Sequence, residues 1–399
     1  MSATTPVKDW ATDWNHFDLR WVEDPFPIWD ELRGRCPVAH SMRFQDGAYF
    51  PSRYADVREI AYDSEHFSSR RVIVREQKID IVASPPITSD PPEHTPARKV
   101  LLPAFTPQAT AKLEPRTRSI CRDLLAAIGD AGSCDAALQY SQHIPVRVIA
   151  HMLGVPESDG DRFRDWIHRI LEIGPTNPQV AMQALKELTV YFQGHVQARR
   201  DRKESERGDD LISYLLAARL EGQPLSEPHL LGTLRLILIA GIDTTWSAIG
   251  ASLWHLATHP DDRRRLVGEP ALMPTAIEEF LRAYAPVTMA REVAKETTVG
   301  GCTFKEGGQV LLSFPAANRD PAMFADAGKV LIDRAENRHA AFGLGRHRCL
   351  GSNLARMEMT VAVEEWLARF PEFRLGEGEK VKWSEGTVRG PRRLPFVLN

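Results

Sequence analysis

The feature that most constrains the fold of this chain is a glycine-rich stretch around a single cysteine, FGLGRHRCLG at residues 342–351. Its early glycines allow tight turns of the backbone, and Cys349 stands directly before a helical pattern over residues 352–370. A cysteine at a helix N-terminus beside Arg346 and Arg348 is expected to have its thiolate stabilised by the helix dipole and the positive charges. Such a thiolate is a natural ligand for iron. Because a lone cysteine is more often a small buried apolar residue, the stretch alone leaves both interpretations open.

The composition is that of a soluble globular protein, with 43% hydrophobic and 26% charged residues in a chain of 399. A net charge of −3 gives no reason to expect a nucleic acid or a membrane surface as partner. The five cysteines are odd in number and lack C-x-x-C spacing, which favours a reducing cytoplasm over a disulfide framework. No signal peptide is visible, and the longest apolar run, 230–242, is interrupted by Arg235. We therefore expect a cytoplasmic protein.

Helical periodicity dominates the chain, and strand patterns are short. Residues 1–24 are predicted to be an irregular segment and residues 25–399 a single domain. Helices are predicted at 25–35, 55–62, 92–105, 107–130, 141–153, 158–172, 178–204, 208–220, 226–259, 273–284 and 352–370. Strands are predicted at 48–53, 298–299, 310–312 and 394–397. The predicted fold class is mainly α with small β-sheets.

The longest predicted helix, 226–259, contains the sequence AGIDTT at residues 240–245. Aspartate, threonine and glycine are poor choices inside a buried apolar helix. One interpretation is a close contact between helices, with Thr244 donating back to the carbonyl of Ala240. The other is a weak point in the helical hydrogen bonding that opens a groove for dioxygen.

Both motifs resemble those of the cytochrome P450 family. The stretch 342–351 resembles the family's haem-binding loop, F-G-x-G-x-H-x-C-x-G, and AGIDTT resembles its A-G-x-D-T-T motif over the distal haem face. The resemblance implies a P450-type single domain, with haem b buried between the long distal helix and the cysteine loop with its proximal helix. It makes Cys349 the axial thiolate ligand of iron and Thr244 the residue that hydrogen-bonds the co-substrate O2, while Asp243 supplies protons as a general acid. Further haem contacts are implied for Ala240, Gly241, Phe342 and Gly343.

Three charged residues match a buried network of the same family. Glu279 and Arg282 are three apart in a predicted helix and therefore share a face. Such a pair is common on surface helices, but Arg334 matches the third partner of the family's Glu-Arg-Arg network. The resemblance therefore gives Glu279, Arg282 and Arg334 a structural role.

Haem carries two propionates, which need cationic or hydrogen-bonding partners when buried. The resemblance assigns this role to His94, Arg98, Arg291 and His347. Pro96 lies between His94 and Arg98, and proline is tolerated only in the first turn of a helix. Either the helix begins later than is usual for the family, or His94 enters the site at a different angle.

The resemblance also implies a distal substrate pocket, with the loop 70–88 as its lid. The pocket residues carried over by position, together with two lid residues, are Ile81, Val82, Leu236, Ile239, Val287, Met289, Thr387 and Val388. These side chains are mostly apolar and mid-sized, which predicts a small apolar or aromatic substrate. Alternatively, Arg71, Arg75 and Lys78 of the lid could anchor a substrate carboxylate, although exposed loop cations are usually only solvated.

The expected reaction inserts one oxygen atom of O2 into a C–H bond, by hydroxylation or O-dealkylation. Residues 85–92 and 241–247 are similar to the haem domains of family members fused to a reductase, yet the chain stops at Asn399. We therefore expect a monomer that takes electrons from a separate ferredoxin or flavodoxin and its NAD(P)H-dependent reductase. Candidates for docking an acidic ferredoxin are the arginines around the cysteine loop, namely Arg338, Arg346, Arg348 and Arg356.

Two other functions remain open at this point. The first is a haem-thiolate enzyme that uses peroxide directly or isomerises its substrate, and the intact Asp243-Thr244 pair argues against it. The second is a non-enzymatic haem sensor or electron carrier. The long lid loop and the apolar pocket argue against a sensor.

Overall fold

A computed structural model of the chain describes residues 5–80, 82–384 and 386–398. Helices account for most of the described chain. The α-helices are α1 (Trp10–Asp13), α2 (Leu19–Glu23), α3 (Phe26–Arg35), α4 (Tyr54–Tyr62), α5 (His94–Leu101), α6 (Pro107–Ala111), α7 (Glu114–Ile128), α8 (His143–Leu153), α9 (Gly160–Ile167), α10 (Pro178–Arg200), α11 (Leu211–Ala217), α12 (Glu227–Thr258), α13 (Pro260–Gly268), α14 (Met273–Ala283), α15 (Phe314–Ala317) and α16 (Ser352–Arg369). Two π-helical segments, Ala137–Ser141 and His168–Ile173, lie before α8 and after α9.

The strands are short and form several small sheets. They are β1 (Val38–Ser41), β2 (Ala48–Pro51), β3 (Phe67–Ser68), β4 (Ser133–Asp135), β5 (Arg219–Leu220), β6 (Gln223–Pro224), β7 (Thr288–Val293), β8 (Thr297–Val299), β9 (Cys302–Phe304), β10 (Gln309–Ser313), β11 (Phe373–Leu375), β12 (Lys382–Trp383), β13 (Pro391–Arg393) and β14 (Pro395–Leu398). The largest sheet has the order β1-β2-β10-β7-β3, and its central strand β10 is buried at every position. Because alternate residues of a strand share a face, β7 presents Met289 and Arg291 on the same side.

The N-terminal segment differs from the predicted irregular lead-in. Its described part contains α1 and α2, which have only four and five residues. Trp10, Trp14 and Trp21 are buried, and the rings of Trp14 and Trp21 lie 5.9 and 5.0 Å from the ring of Phe50 in β2. Helices this short carry no recognisable periodicity, so the sequence pattern could not reveal them. They are stabilised by burying their tryptophans against the sheet.

The central element is α12, which contacts α8, α10, α14 and α16. Ser226 caps its first turn by accepting from the N–H of His229, and Pro228 stands where a missing N–H costs nothing. Among the described residues, α12 is the one helix long and apolar enough to cross a membrane, but 72% of its apolar window is buried inside the protein. We therefore assign α12 to the core.

Two helix predictions are wrong in detail. The helix predicted at 107–130 is divided into α6 and α7, because Pro115 cannot donate a hydrogen bond from a helix interior and stands instead in the first turn of α7. Of the two interpretations of the AGIDTT segment, the weak point in the helical hydrogen bonding is not observed, since α12 is continuous through residues 240–245.

Candidate functional site

One cavity lies between α12, β7 and the loop that precedes α16. Most of its wall is apolar, and it contains many of the predicted site residues. Those residues are Arg98, Leu236, Ala240, Gly241, Thr244, Val287, Met289, Arg291, Phe342, Gly343, His347 and Cys349. In the described part of the chain, Cys349 is the one cysteine among the lining residues of this cavity.

The loop 342–351 folds so that Cys349 is presented to the cavity. The N–H of Cys349 donates to the carbonyl of Phe342 over 2.7 Å, and Gly343 and Gly345 adopt positive φ angles of 70° and 68°. A side chain on Gly345 would clash with the backbone carbonyl of Ala61. Cys349 is exposed, and it lines this cavity.

The thiol of Cys349 differs from the prediction of a stabilised thiolate. Burial raises the pKa of this thiol, and the opposing effects of the Gly351 N–H and of the positive charges of Arg98, Arg348 and Arg356 are smaller. The positive groups are therefore present as expected, but they do not outweigh desolvation. A metal ion bound to the sulfur would remove the proton outright.

Four cationic or basic side chains lie at one side of the cavity: Arg98, Arg291 and His347 line it, and His94 does not line it but packs against His347. The ring of His94 meets that of His347 edge to face, with 4.3 Å between the ring centroids. Both nitrogens of His94 and Nε2 of His347 are buried without a hydrogen-bond partner. Arg98 donates to the carbonyl of Arg348, and Arg291 donates to the carbonyl of Ala290. In the described part of the chain, none of the four forms an ion pair with a carboxylate.

This cluster fits the two propionates of a haem. Burial lowers the pKa of Arg291 to about 10, which reflects the cost of a guanidinium that is 4% exposed and lacks a bound counter-charge. Two carboxylates would supply that charge and would accept hydrogen bonds from the unpartnered imidazoles. The position of His94 is also explained, because α5 begins at His94 and Pro96 therefore stands in its first turn.

The AGIDTT segment shows the close helix contact and also lines the cavity, without a break in α12. The hydroxyl of Thr244 donates to the carbonyl of Ala240 over 2.9 Å, and a side chain on Gly241 would lie 2.6 Å from Ile149 of α8. These are the features of a close helix contact. Ala240, Gly241 and Thr244 nevertheless line the cavity, as does Thr245, which the sequence analysis did not assign.

Asp243 lies behind the cavity wall and is fully buried. Its Oδ1 atom accepts from Nη2 of Arg392 over 2.7 Å, whereas Oδ2 has no hydrogen-bond partner. The pKa of Asp243 is raised to about 6, chiefly by burial and also by the nearby Glu172, although the charge of Arg392 and the hydroxyl of Ser247 lower it. Asp243 can therefore exchange a proton near neutral pH.

The structure brings Glu279, Arg282 and Arg334 together in the core. Glu279 accepts two hydrogen bonds of 2.8 Å from Arg282 and one of 2.9 Å from Nε of Arg334. Although burial raises the pKa of Glu279, the hydrogen bonds from Arg282 and from the N–H of Leu331 outweigh it and lower the pKa overall. A second network that was not predicted joins Glu278 to Arg356 and His339.

Four of the predicted pocket residues do not line the cavity. Ile239 packs against the main core, and Val388 pairs with Val287 in an isolated bridge. The Thr387 carbonyl accepts from the N–H of Thr288, and Val82 is also absent from the cavity wall. Ile81 lies outside the described residues. Pro86 and Ile87 of the predicted lid loop 70–88 also line the wall, and wall residues that the sequence did not indicate include Ile149, Ile237, Phe314 and Leu354.

The alternative that Arg71, Arg75 and Lys78 anchor a substrate is wrong for this conformation, because none of them lines the cavity. Arg71 pairs with Glu292 at 2.6 Å, and Lys78 donates to the carbonyl of Gly307. Arg75 donates to a backbone carbonyl of the segment that precedes α10. These cations instead hold the loop against the rest of the fold.

The loop is also attached to α12 near the cavity. Arg235 donates to the carbonyl of Ala83 over 3.0 Å, and Thr233 donates to that of Pro85 over 3.1 Å. Gly232 allows this approach, since a side chain there would lie 2.6 Å from the Ala83 oxygen. The attachment places Pro86 and Ile87 in the cavity wall.

The fold and the cavity together define a protein that holds haem through a cysteine thiolate. Comparison with known proteins agrees: the cytochrome P450 family model matches residues 148–392, and the chain belongs to this family. It is therefore an oxidoreductase, a haem b monooxygenase with a cysteine thiolate ligand that uses O2. The fold class, enzyme class and cofactor expected from the sequence are confirmed.

Three similar proteins illustrate the range of the family. The chain is 36% identical over 377 residues to mycinamicin IV hydroxylase/epoxidase of Micromonospora griseorubida, covering 92% of this chain and 94% of that enzyme. It is 36% identical over 386 residues to the vitamin D(3) 25-hydroxylase of Pseudonocardia autotrophica, covering 94% of each. The crystal structure of CYP109E1 from Bacillus megaterium in complex with testosterone superposes with a TM-score of 0.87 at 33% identity, covering 94% of this chain and 98% of that one.

Proposed function

We propose that this monooxygenase hydroxylates C–H bonds of an apolar organic substrate that binds against α12 beside Thr244. The observation that carries the proposal is the continuity of one cavity, in which Cys349, Thr244 and an apolar wall all take part. The wall includes Ile87, Leu236 and Val287, which offer no charge to a substrate. When bound, the haem supplies dioxygen activation and the transfer of one oxygen atom.

Two sets of side chains are proposed to hold the haem, one at the iron and one at the propionates. Cys349 is the proposed ligand of the iron, and Gly343 and Gly345 give its loop the required turn. His94, Arg98, Arg291 and His347 are the proposed partners of the propionates. Cys349 would thus bind the iron from the side of α16. The opposite wall of the cavity is formed by α12, and the substrate would react on that side.

Thr244 and Asp243 are the proposed proton-transfer pair. The hydroxyl of Thr244 reaches the cavity and can donate a hydrogen bond there when it rotates away from the Ala240 carbonyl. Asp243, whose pKa is about 6, can replace the proton that Thr244 passes on. Exclusion of bulk water by the apolar wall keeps this proton supply confined to the two residues.

We propose a range of substrates that extends beyond small aromatic molecules. The names of the three similar proteins give mycinamicin IV, vitamin D(3) and testosterone as the molecules that those proteins act on or bind, so we include such molecules as well as the small aromatics expected from the sequence. The wall offers no carboxylate anchor from the lid, since Arg71 and Arg75 are engaged elsewhere.

Electrons are proposed to come from a separate ferredoxin or flavodoxin with its reductase, in a monomeric cytoplasmic enzyme. Arg338, Arg346 and Arg348 are exposed and are free for docking an acidic partner, whereas Arg356 is held by Glu278 at 2.5 Å. Arg346→Glu should slow reduction by ferredoxin at low salt and have little effect at high salt, because screening weakens exposed charges. An effect that is independent of salt would contradict this docking surface.

The function is tested by incubating the holoenzyme with a ferredoxin, its reductase, NADH and a panel of steroids, secosteroids, macrolides and small aromatics. We expect a substrate-induced change of haem spin state and a hydroxylated product that carries one atom from labelled O2. Thr244→Ala should keep the spin-state change but lose most of the product per NADH consumed. Product formation that depends on added peroxide and not on NADH would instead favour the peroxide-using alternative.

A further inference from the structure

The part of the cavity wall formed by Pro286 and Val287 is backed by a turn near the C-terminus, residues 386–389. The N–H of Arg389 donates to the carbonyl of Pro286 over 2.7 Å, and Val388 pairs with Val287 in an antiparallel bridge. Because the two segments are joined through their backbones, a shift of the turn displaces the wall with it.

The side chain of Arg389 ties this turn to the N-terminal part of the chain. Its Nη2 atom donates to the carbonyl of Glu23 over 3.0 Å, and its Nε atom donates to that of Val22 over 3.3 Å. Both carbonyls belong to the last turn of α2, where a helix leaves its carbonyl groups without an intrahelical partner. A basic side chain is a suitable donor to such groups. Arg389 therefore completes the end of α2 and fixes the turn through the same side chain.

Two aromatic rings hold the guanidinium of Arg389 in this position. It lies 4.0 Å from the ring centre of Trp383 in β12 and 5.6 Å from that of Phe26, the first residue of α3. An arginine that is stacked as well as hydrogen-bonded is held in one orientation, which a lysine would not reproduce. The contact between the turn and the N-terminal helices is therefore well defined.

The other side of the turn packs against the π-helical segment His168–Ile173. Gly386 has a φ angle of +99°, and a side chain there would clash with the backbone carbonyl of Leu171. The turn is thus held between this segment and α2. The support from α2 is given by the side chain of Arg389, so a single substitution can remove it.

We propose that Arg389 is a specificity-determining residue of this enzyme, which ties the turn 386–389 to α2 and so sets how far Val287 can yield to a bulky substrate. In the described part of the chain, Arg389 is not among the residues that line the cavity, and it acts as a positioning residue. This role rests on the proposed function, because it requires that the cavity takes the substrate. It adds that the N-terminal helices control the size of the substrate from behind the wall.

The competing explanation is that Arg389 only anchors α2. In that case its loss would lower stability and leave the cavity unchanged. Arg389→Met removes the donors and keeps an apolar stem, whereas Arg389→Lys keeps the charge and can still reach one carbonyl. Arg393→Met is the matched control in the same part of the chain, since Arg393 donates to the carbonyl of Lys380 and pairs with Glu379.

The measurement is the binding of three ligands of increasing length to the holoenzyme, namely imidazole, 4-phenylimidazole and 4-(biphenyl-4-yl)imidazole. All three bind haem iron through the same ring nitrogen, and the shift of the haem absorbance band gives each dissociation constant. In Arg389→Met, the affinity for the biphenyl ligand relative to imidazole should rise about tenfold, because the released wall yields to it. The rise should be smaller in Arg389→Lys and absent in Arg393→Met.

A double-mutant cycle tests whether Arg389 acts through Val287. Val287→Ala shortens the wall residue directly and should raise the same affinity ratio. In the Val287→Ala background, Arg389→Met should then add little, because two residues that act through one contact are not additive. Urea unfolding of every variant measures the loss of stability separately from the affinity ratio.

The outcomes separate this role from the proposed function. Lower stability with an unchanged affinity ratio in Arg389→Met and Arg389→Lys would overturn it, and so would full additivity with Val287→Ala. In both cases the wild-type cavity still binds ligands at the iron, and the proposed function stands. If none of the three ligands shifts the haem band of the wild type, the cavity does not lead to the iron, so the proposed function fails and the role of Arg389 falls with it.

Discussion

The carboxylate of Asp243 and the guanidinium of Arg392 lie 2.7 Å apart inside the protein, although 149 residues separate them in the chain. The contact joins the central helix α12 to the late strand β13. It compensates part of the cost of burying Asp243, but burial still dominates and raises its pKa from 3.8 to about 6. The native state therefore binds this proton more tightly than the unfolded chain does.

The first prediction concerns the pH dependence of stability. Because the pKa of Asp243 is raised in the folded state, its stabilising contribution is fully present below pH 4 and is lost as the pH rises through about 6. In the wild type, the free energy of unfolding should therefore fall by up to about 3 kcal/mol over this pH range, at about 1.4 kcal/mol per pKa unit. Asp243→Asn should abolish this part of the pH dependence. Urea unfolding of both proteins at pH 4, 5, 6 and 7 measures the difference in slope. Asp261→Asn, at a side chain that is 94% exposed, should keep the wild-type slope.

The second prediction concerns the buried network. Glu279→Gln leaves the guanidinium groups of Arg282 and Arg334 without their carboxylate, and the free energy of unfolding should fall by about 3–5 kcal/mol. Urea denaturation followed by tryptophan fluorescence measures this change. Glu65→Gln removes an exposed partner of Lys295 and should have no measurable effect. Equal stability of the two variants would contradict a structural role for the network.

The third prediction compares the protein with and without haem. Arg291→Met should speed the transfer of haem to apomyoglobin by about tenfold, because a buried propionate loses its cation. The apoprotein should be no less stable than the wild type, since the variant removes a buried guanidinium that has no bound counter-charge. Arg319→Met is the control, because Arg319 is a half-buried arginine whose pKa is also lowered by desolvation but which does not line the cavity. A similar loss of stability with and without haem would show that Arg291 acts only in the fold.

The fourth prediction concerns the cysteine loop. Gly345→Ala places a side chain at a φ angle of +68° and against the backbone carbonyl of Ala61, which cannot move without displacing α4. The variant should lose at least about 2 kcal/mol of stability and part of its haem. Gly328→Ala should have neither effect, because the added atom would meet nothing within 4 Å. Thermal melting and the ratio of haem to protein absorbance measure both quantities, and unchanged haem content in Gly345→Ala would contradict a loop held rigid by its turn.

The sequence alone was sufficient to predict those features of the site that depend on a short segment. The loop 342–351 and the AGIDTT segment are local arrangements of glycine, cysteine and hydroxyl groups, and they indicated the family, the cofactor and the central helix. Helix starts were also local, as with Ser226 and Pro228 at the start of α12. Such features depend on backbone geometry over a few residues, and the residue types largely determine that geometry.

Tertiary structure decided which distant groups meet and what burial does to them. No pattern near Arg392 indicates that it binds both Asp243 and Glu172, because the three belong to elements that are far apart in the chain. The same holds for the lid cations, whose partners include Glu292 and Gly307. The pKa of Cys349 likewise followed from desolvation, which the neighbouring arginines could not outweigh. Desolvation depends on every surrounding element at once, so only the folded chain determines it.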